Sequence, residues 1–409
     1  MRTTIESRRA FLETVGAFGA GALLSQAETA RGYAANDTIA VGCLGTGGRC
    51  RALLKSLVQV PNVRIAAVCD IYDRHLNEAR KLADPQALAT KSYKEVLDRK
   101  DIDAVLIASP DHWHVPMTVD ACSAGKDVYV EKPLTHDPAE GPAVIAAQNR
   151  NRKIVQVGMQ QRSMPHFQKA RELLKQGRIG RVLKVALSWN RNTSSRFRRT
   201  PLGIDPKQVD WKAFLGPAPD QPFDEYRFRH WRWFWDFGGG LLTDLMVHFI
   251  DVAHWLLDLD HPMQAVTVGQ HFAAAGLWET PDTIQCLLAY PGEIQAHFEG
   301  TFSNARHGAR IEFLGTDGTL YLDRGRYEIY PERGQGEVES WVLGSDPHRG
   351  RDFYDQPDGE LLHLTNWVES LRSRQAPNAP AEAGVSAAAA AHLGNRAYRQ
   401  GTVARWQDA

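Results

Sequence analysis

The amino-acid sequence predicts an α/β chain: a doubly wound parallel sheet first, then an α+β unit dominated by antiparallel strands. Three observations carry this. Short apolar runs alternate with helix-periodic segments from Thr38 onward, a glycine-rich turn joins the first run to the first helix, and beyond Leu257 strand patterns follow one another across hairpin turns. The length of 409 residues accommodates two or three domains, and 43% hydrophobic residues excludes wholesale disorder. Balanced charge, 48 Lys+Arg against 48 Asp+Glu with no basic stretch, argues against a nucleic-acid binder. No apolar run reaches the roughly 18 residues of a membrane span.

Residues 1–36 read as an export signal. Ser7-Arg8-Arg9-Ala10-Phe11-Leu12 matches the twin-arginine pattern, and the apolar run from Thr14 to Leu24 that follows is too short to cross a bilayer. Cleavage is expected between Ala27 and Asn36, giving an extracytoplasmic, periplasmic protein whose first partner is the twin-arginine machinery. That route carries folded chains, so a cofactor can be loaded before export. Five scattered cysteines, Cys43, Cys50, Cys69, Cys122 and Cys286, with no Cys-Xaa-Xaa-Cys pair, read as small core hydrophobes.

The first domain spans residues 37–160. Thr38 to Gly45 is a strand, Arg49 to Val58 a helix, Val63 to Asp70 a strand and Arg74 to Leu82 a helix. Asp103 to Ser109, Val115 to Ala124 and Asp127 to Lys132 continue the alternation. Apolar strands separated by helices imply a parallel sheet with right-handed crossovers.

The first turn reads Gly45-Thr46-Gly47-Gly48-Arg49-Cys50. Between a strand and a helix, such glycines permit a tight turn and let backbone N–H groups meet a pyrophosphate, the Rossmann arrangement for a dinucleotide. Cys50 stands where a third glycine usually packs helix on strand. Asp70 ends the second strand, where a carboxylate accepts from ribose hydroxyls and favours NAD over NADP; Arg74 keeps NADP open, and a helix cap is the alternative role for Asp70.

Two further loops leave strand ends on the ligand side: Ser109-Pro110-Asp111-His112-Trp113-His114 and Glu131-Lys132-Pro133. With the glycine turn, these motifs resemble the oxidoreductase family of glucose-fructose oxidoreductase, inositol dehydrogenase and the rhizopine-catabolism proteins (Gfo/Idh/MocA), over nearly the whole chain from Thr38 to Trp406. The resemblance implies a C-terminal domain on a large open mixed sheet. It places Lys132 near nicotinamide and substrate as an aid to proton transfer, with a proline bond that is often cis, and it puts Pro110, His112, His114 and Glu131 beside the cofactor together with Gly45, Gly47, Gly48, Arg49 and Asp70.

Residues 161–409 form the second domain. A helix from Met164 to Gln176 and a strand from Val182 to Trp189 precede an irregular stretch from Asn190 to Asp236. A helix from Gly239 to Leu257 carries Asp244, His248 and Asp251 on one face. On spacing alone that face can be a solvated surface, a metal site lacking a ligand from a second element, or an acid/base group. The family's Asp-Xaa-Xaa-Xaa-His pair matches Asp244 and His248 and implies acid/base work with no metal. His248, oriented by a carboxylate, is expected to titrate near the working pH. Trp231 and Trp235, in a stretch rich in aromatics and arginine, are candidates to stack on a sugar or to form a subunit contact. Gln160, Gln161 and Arg162 are substrate-contact candidates on the resemblance, whereas His363, Asn366, His392 and Asn395 read as structural.

The combined expectation is an exported, homo-oligomeric, NAD(P)-dependent oxidoreductase acting on a hydroxyl of a sugar, polyol or sugar derivative. Outside the cytoplasm free cofactor is scarce, so NAD is expected to be tightly bound and recycled within one site. A redox-neutral glycoside hydrolase or lyase working through a transient 3-keto sugar is the alternative, and a non-catalytic sugar-binding module a second.

Overall fold

The computed structural model describes residues 38–193, 197–334, 336–342 and 358–408. Residues 1–36, read above as an export signal, lie outside the described residues. Six parallel strands, β1 (Ile39–Leu44), β2 (Val63–Cys69), β3 (Leu88–Thr90), β4 (Ala104–Ile107), β5 (Asp127–Val130) and β6 (Val155–Val157), form the first sheet in the order β3-β2-β1-β4-β5-β6. β4 and β5 are buried at every residue, as helices on both faces require. The order reverses between β1 and β4, which opens a crevice at their carboxyl ends. β3 and β6, each of three residues, are too short to show a pattern in the sequence.

The second sheet has nine strands among the described residues: β7 (Val182–Asn190), β8 (Gln264–Gln270), β9 (Thr283–Tyr290), β10 (Ile294–Thr301), β11 (Ala309–Gly315), β12 (Gly318–Asp323), β13 (Arg326–Pro331), β14 (Glu339–Val342) and β15 (Ala404–Arg405). Their order is β14-β13-β12-β11-β7-β10-β9-β8-β15. Only the central β7–β10 pair is parallel, so the sheet is mixed and mostly antiparallel, as expected. One face packs on the helices Val247–Leu257 and Ala381–Gln400; the other presents Val266, Val268 and Leu287 to the outside.

The chain does not leave the first domain for good at residue 160. The helix Gly359–Ser373 returns to it and buries Leu364, Trp367, Val368 and Leu371 against Val41, Leu53, Leu54, Leu57 and Tyr129. The helix Ala381–Gln400 then lies between the sheets, and its small side chains allow the close approach. A Cβ on Gly384 would sit 2.7 Å from Val157, and one on Gly394 would sit 2.8 Å from Leu242. All five cysteines are free and buried, in keeping with their reading as core residues. No helix among the described residues is long and apolar enough to cross a membrane.

Trp367 is completely buried in the returning helix. Trp367→Ala should therefore destabilise the protein by about 3–5 kcal/mol in equilibrium urea unfolding; an unchanged midpoint would show that this helix adds nothing to the first domain.

Candidate active site

The glycine turn and the end of β2 shape a groove at the crevice. Gly45 has φ +77°, and a Cβ there would lie 2.7 Å from Ser109 Cα, so only glycine lets the end of β1 rest against the exit of β4. Around Gly48 nothing lies within 4 Å of an added Cβ, which leaves the first turn of the helix Gly48–Leu57 open to a phosphate. Cys50 is fully buried at the packing position. The Asp70 carboxylate accepts from Thr46 N–H (2.6 Å), Thr46 Oγ1 (3.3 Å) and Tyr72 N–H (2.9 Å), so it holds the turn. An ionised carboxylate has about four acceptor positions, so capacity remains for a ribose hydroxyl. Arg74, the residue that left NADP open, is exposed and pairs with Glu78. Open glycines, a helix N-terminus and a carboxylate at the strand end fit NAD.

Beside this groove a cavity of about 250 Å³ lies between the ends of β4 and β5 and the helix segment 242–257. Lys132, joined to Pro133 by a cis peptide, donates from Nζ to the Asp244 carbonyl oxygen (2.7 Å) and to Asp244 Oδ1 (2.9 Å). Arg232 Nε donates to the same Oδ1 at 3.2 Å. The predicted continuous helix is interrupted here: residues Leu242–Met246 form a π-turn before the α-helix Val247–Leu257 begins, and Asp244 sits within it. Burial works to raise the Asp244 carboxyl, but Lys132 and Arg232 outweigh it and hold the group well below the usual carboxylate range.

His248 lines the cavity with its ring 5.4 Å from that of Trp189, and its Nδ1 is buried without a hydrogen-bond partner. Burial, then the cations Lys132 and Arg324, push its pKa well below 6.5, and Asp244 offsets this only in part. The expectation that His248 titrates near neutrality under the hold of Asp244 is thus corrected. The carboxylate is taken by Lys132 and Arg232, and the imidazole stays neutral.

The other candidates divide between lining the cavity and building its frame. Glu131, His114, Gln160 and Trp231 line it with Lys132, Asp244 and His248. Arg49 also lines it, yet its guanidinium is clamped by Glu131 (2.8 Å from Nε) and by Glu360 of the returning helix. Burial alone would lower the Arg49 pKa, but those two carboxylates raise it. Both ring nitrogens of His114 face carbonyl oxygens, Pro133 at 2.7 Å and Ser109 at 3.0 Å; burial lowers its pKa to about 4, so the neutral ring donates to only one. His112 is spent on the Phe214 carbonyl (2.8 Å), and Pro110 opens the short turn Asp111–Trp113 outside the cavity lining.

Arg162 is not free for substrate. It forms a bidentate pair with Asp251, Nε to Oδ2 at 2.9 Å and Nη2 to Oδ1 at 2.8 Å, nearly excluded from water. Asp251 thereby leaves the triad that the helix spacing suggested. Gln161 is buried with its amide unpartnered, and Trp235 lines a different cavity against Arg399. His363, Asn366, His392 and Asn395 hold backbone and neighbouring side chains, as read.

Sequence reasoning missed Asp111, Trp189, Arg191, Arg324 and Glu360, and it noted Arg232 only as part of the stretch rich in aromatics and arginine. Asp111 was passed over for its histidine neighbours, yet it faces the cavity while His112 does not. Burial raises its carboxyl to about 8 against the pull of Lys132 and Arg232, so it is mostly protonated at neutral pH. The arginines come from strand ends and the irregular stretch, where no periodicity marks them.

A glycine groove for NAD beside a cavity holding a lysine, a carboxylate and a neutral imidazole defines an NAD-binding oxidoreductase architecture. Residues 39–159 match the family description "Oxidoreductase family, NAD-binding Rossmann fold", and residues 167–321 match "GFO/IDH/MocA C-terminal domain". The chain belongs to the Gfo/Idh/MocA oxidoreductase family.

Among curated relatives, an uncharacterized oxidoreductase, YrbE, of Bacillus subtilis is 24% identical over 81% of this chain and 86% of its own length. An inositol 2-dehydrogenase of Salmonella typhimurium is 26% identical over 55% of this chain and 56% of its own. A glycosyl hydrolase family 109 protein of Shewanella pealeana is 30% identical over 36% and 38%. Levoglucosan dehydrogenase in complex with NADH superposes with TM-score 0.70 at 16% identity, covering 90% of this chain and 99% of that one. An aldose-aldose oxidoreductase of Caulobacter crescentus gives TM-score 0.66 at 21% identity over 90% and 99%.

Removing Asp251 would leave the Arg162 guanidinium buried without a counter-charge. Asp251→Ala should cost about 3–5 kcal/mol of stability while the folded fraction keeps its substrate KM. A raised KM at unchanged stability, measured by denaturant titration alongside kinetics, would instead return Arg162 to the substrate.

Proposed function

We propose that the protein is an NAD-dependent oxidoreductase that interconverts a secondary alcohol and a ketone on a sugar, polyol or sugar derivative. The observation that carries this is Lys132, held by two contacts to Asp244 in the same cavity as the neutral His248 and beside the glycine groove. NAD, when bound, supplies the hydride acceptor or donor. The third Lys132 N–H, not used on Asp244, donates to the reacting substrate oxygen and stabilises charge developing there. His248, neutral and with spare hydrogen-bonding capacity, takes the hydroxyl proton in the oxidising direction and returns it in the other. Asp244 positions the lysine. The Glu131–Arg49–Glu360 clamp holds the lysine's own strand exit.

NAD is preferred to NADP because the buried Asp70 carboxylate repels a 2′-phosphate. Export by the twin-arginine route, resting on Arg8, Arg9 and Phe11, goes with a cofactor retained in the site and recycled there. A second reading has a specific support, the 30%-identical glycosyl hydrolase family 109 relative. In it the hydride of C3 of a glycoside passes to bound NAD and later returns, while the same residues take the hydroxyl proton; the C2 proton of the 3-keto sugar becomes acidic, the anomeric group is eliminated, and water addition with re-reduction by the same cofactor closes the cycle.

Purified protein with NAD, offered free sugars and aryl glycosides, separates the readings: lasting NADH absorbance marks a dehydrogenase, and aglycone release without net reduction marks the redox-neutral route. Lys132→Ala and His248→Asn should each lower kcat by about 10²-fold or more while NAD affinity changes little; full turnover in either would remove these assignments. The acid limb of kcat/KM should fall below pH 6.5. Protonation disables the base, and burial with the Lys132 charge moves that protonation to lower pH.

A further inference from the structure

The cavity mouth carries positive charge that hydride transfer to a neutral sugar leaves unused. Deeper in, charges are matched: Arg49 lies between Glu131 and Glu360, and Lys132 lies on Asp244. Arg232 reaches that same Asp244 oxygen through Nε alone, and its Nη1 and Nη2 make no hydrogen bond among the described residues. Its guanidinium carbon is 4.1 Å from the Trp231 ring centroid, so the indole covers the flat face and the N–H edge stays open. Arg191 also lies near a tryptophan ring. It is exposed, lies 5.3 Å from the Trp189 ring centroid, and has no ion pair among the described residues.

Both arginines line the cavity that holds Lys132 and His248. Two guanidinium groups bordering one small space repel each other, and they repel the positive charge of oxidised nicotinamide, unless an anion enters with the substrate. Sugar hydroxyls accept hydrogen bonds without cancelling charge; a planar carboxylate or a phosphate does both and fits the N–H fork.

We propose that the substrate is a sugar or polyol derivative bearing an oxyanion, carboxylate or phosphate, gripped by Arg191 and Arg232 while its reacting hydroxyl lies at Lys132 and His248. This rests on the oxidoreductase reading and names its substrate class.

The test uses the purified protein with NAD and three matched series built on glucose, galactose and mannose, each comprising the neutral hexose, its uronic acid and its 6-phosphate. In at least one series an anionic member should exceed the neutral parent in kcat/KM by about tenfold or more, and the better of the two anions identifies the group. Arg191→Gln and Arg232→Lys, the second keeping a cation for Asp244 but losing the fork, should erase that preference mainly through KM for the anionic member. Equal or better turnover of the neutral hexose in every series overturns the proposal and leaves the oxidoreductase reading standing. So does an anion preference that survives both substitutions. No NADH formation from any member, with no aglycone released from the corresponding nitrophenyl glycosides, overturns both.

Discussion

The contact between Lys132 and Asp244 is the interaction on which the rest depends. The lysine leaves the carboxyl end of β5 in the first sheet, and the aspartate sits on the helix that backs the second. Neither domain alone holds both halves of the site. The contact uses a backbone carbonyl as well as a carboxylate oxygen, so it specifies where the π-turn lies as well as which charge is opposite. An ion pair reduced to Coulomb attraction would tolerate sliding; a lysine shared between a carbonyl and a carboxylate tolerates much less.

Around that contact the protein spends many buried polar groups on the frame. Arg49 joins the glycine-turn helix to β5 and to the returning helix, and Arg374 ties the end of that helix to Asp127 at the start of β5. Burial lowers the pKa of His112, His114, His363 and His392 to about 4, and each is used to hold a backbone carbonyl. His248 differs from these four because it lines the cavity and its ring makes no hydrogen bond among the described residues. A ring uncommitted to the frame is available to a substrate.

Much of the fold was legible because it is written in local patterns. Apolar runs of four to eight residues between helix periods report a sheet covered on both faces, and the alternation of β9 through β12 reports a sheet covered on one. Gly45 and Asp70 were legible from their places at strand ends, whereas Lys132, Asp244 and His248 stood out only through motifs that resemble those of the family, because spacing alone left their roles open. What stayed hidden depends on distant segments. Arg162 and Asp251 are 89 positions apart, and Arg49 and Glu360 are 311 apart. No spacing rule connects such pairs, so Arg162 looked available to substrate and Glu360 did not register at all.

The sequence by itself determined the order of elements, the dinucleotide turn and the residue types able to move a proton, since these follow from backbone geometry and side-chain chemistry within a few residues. Only the tertiary structure decided which of those side chains remained uncommitted. Asp244 turned to Lys132 and Arg232 instead of to His248, Asp251 went to Arg162, and Asp111 faced the cavity in place of His112. The physical reason is that a buried charge or hydrogen-bonding group takes whichever partner packing brings within about 3 Å, and packing is a property of the whole chain.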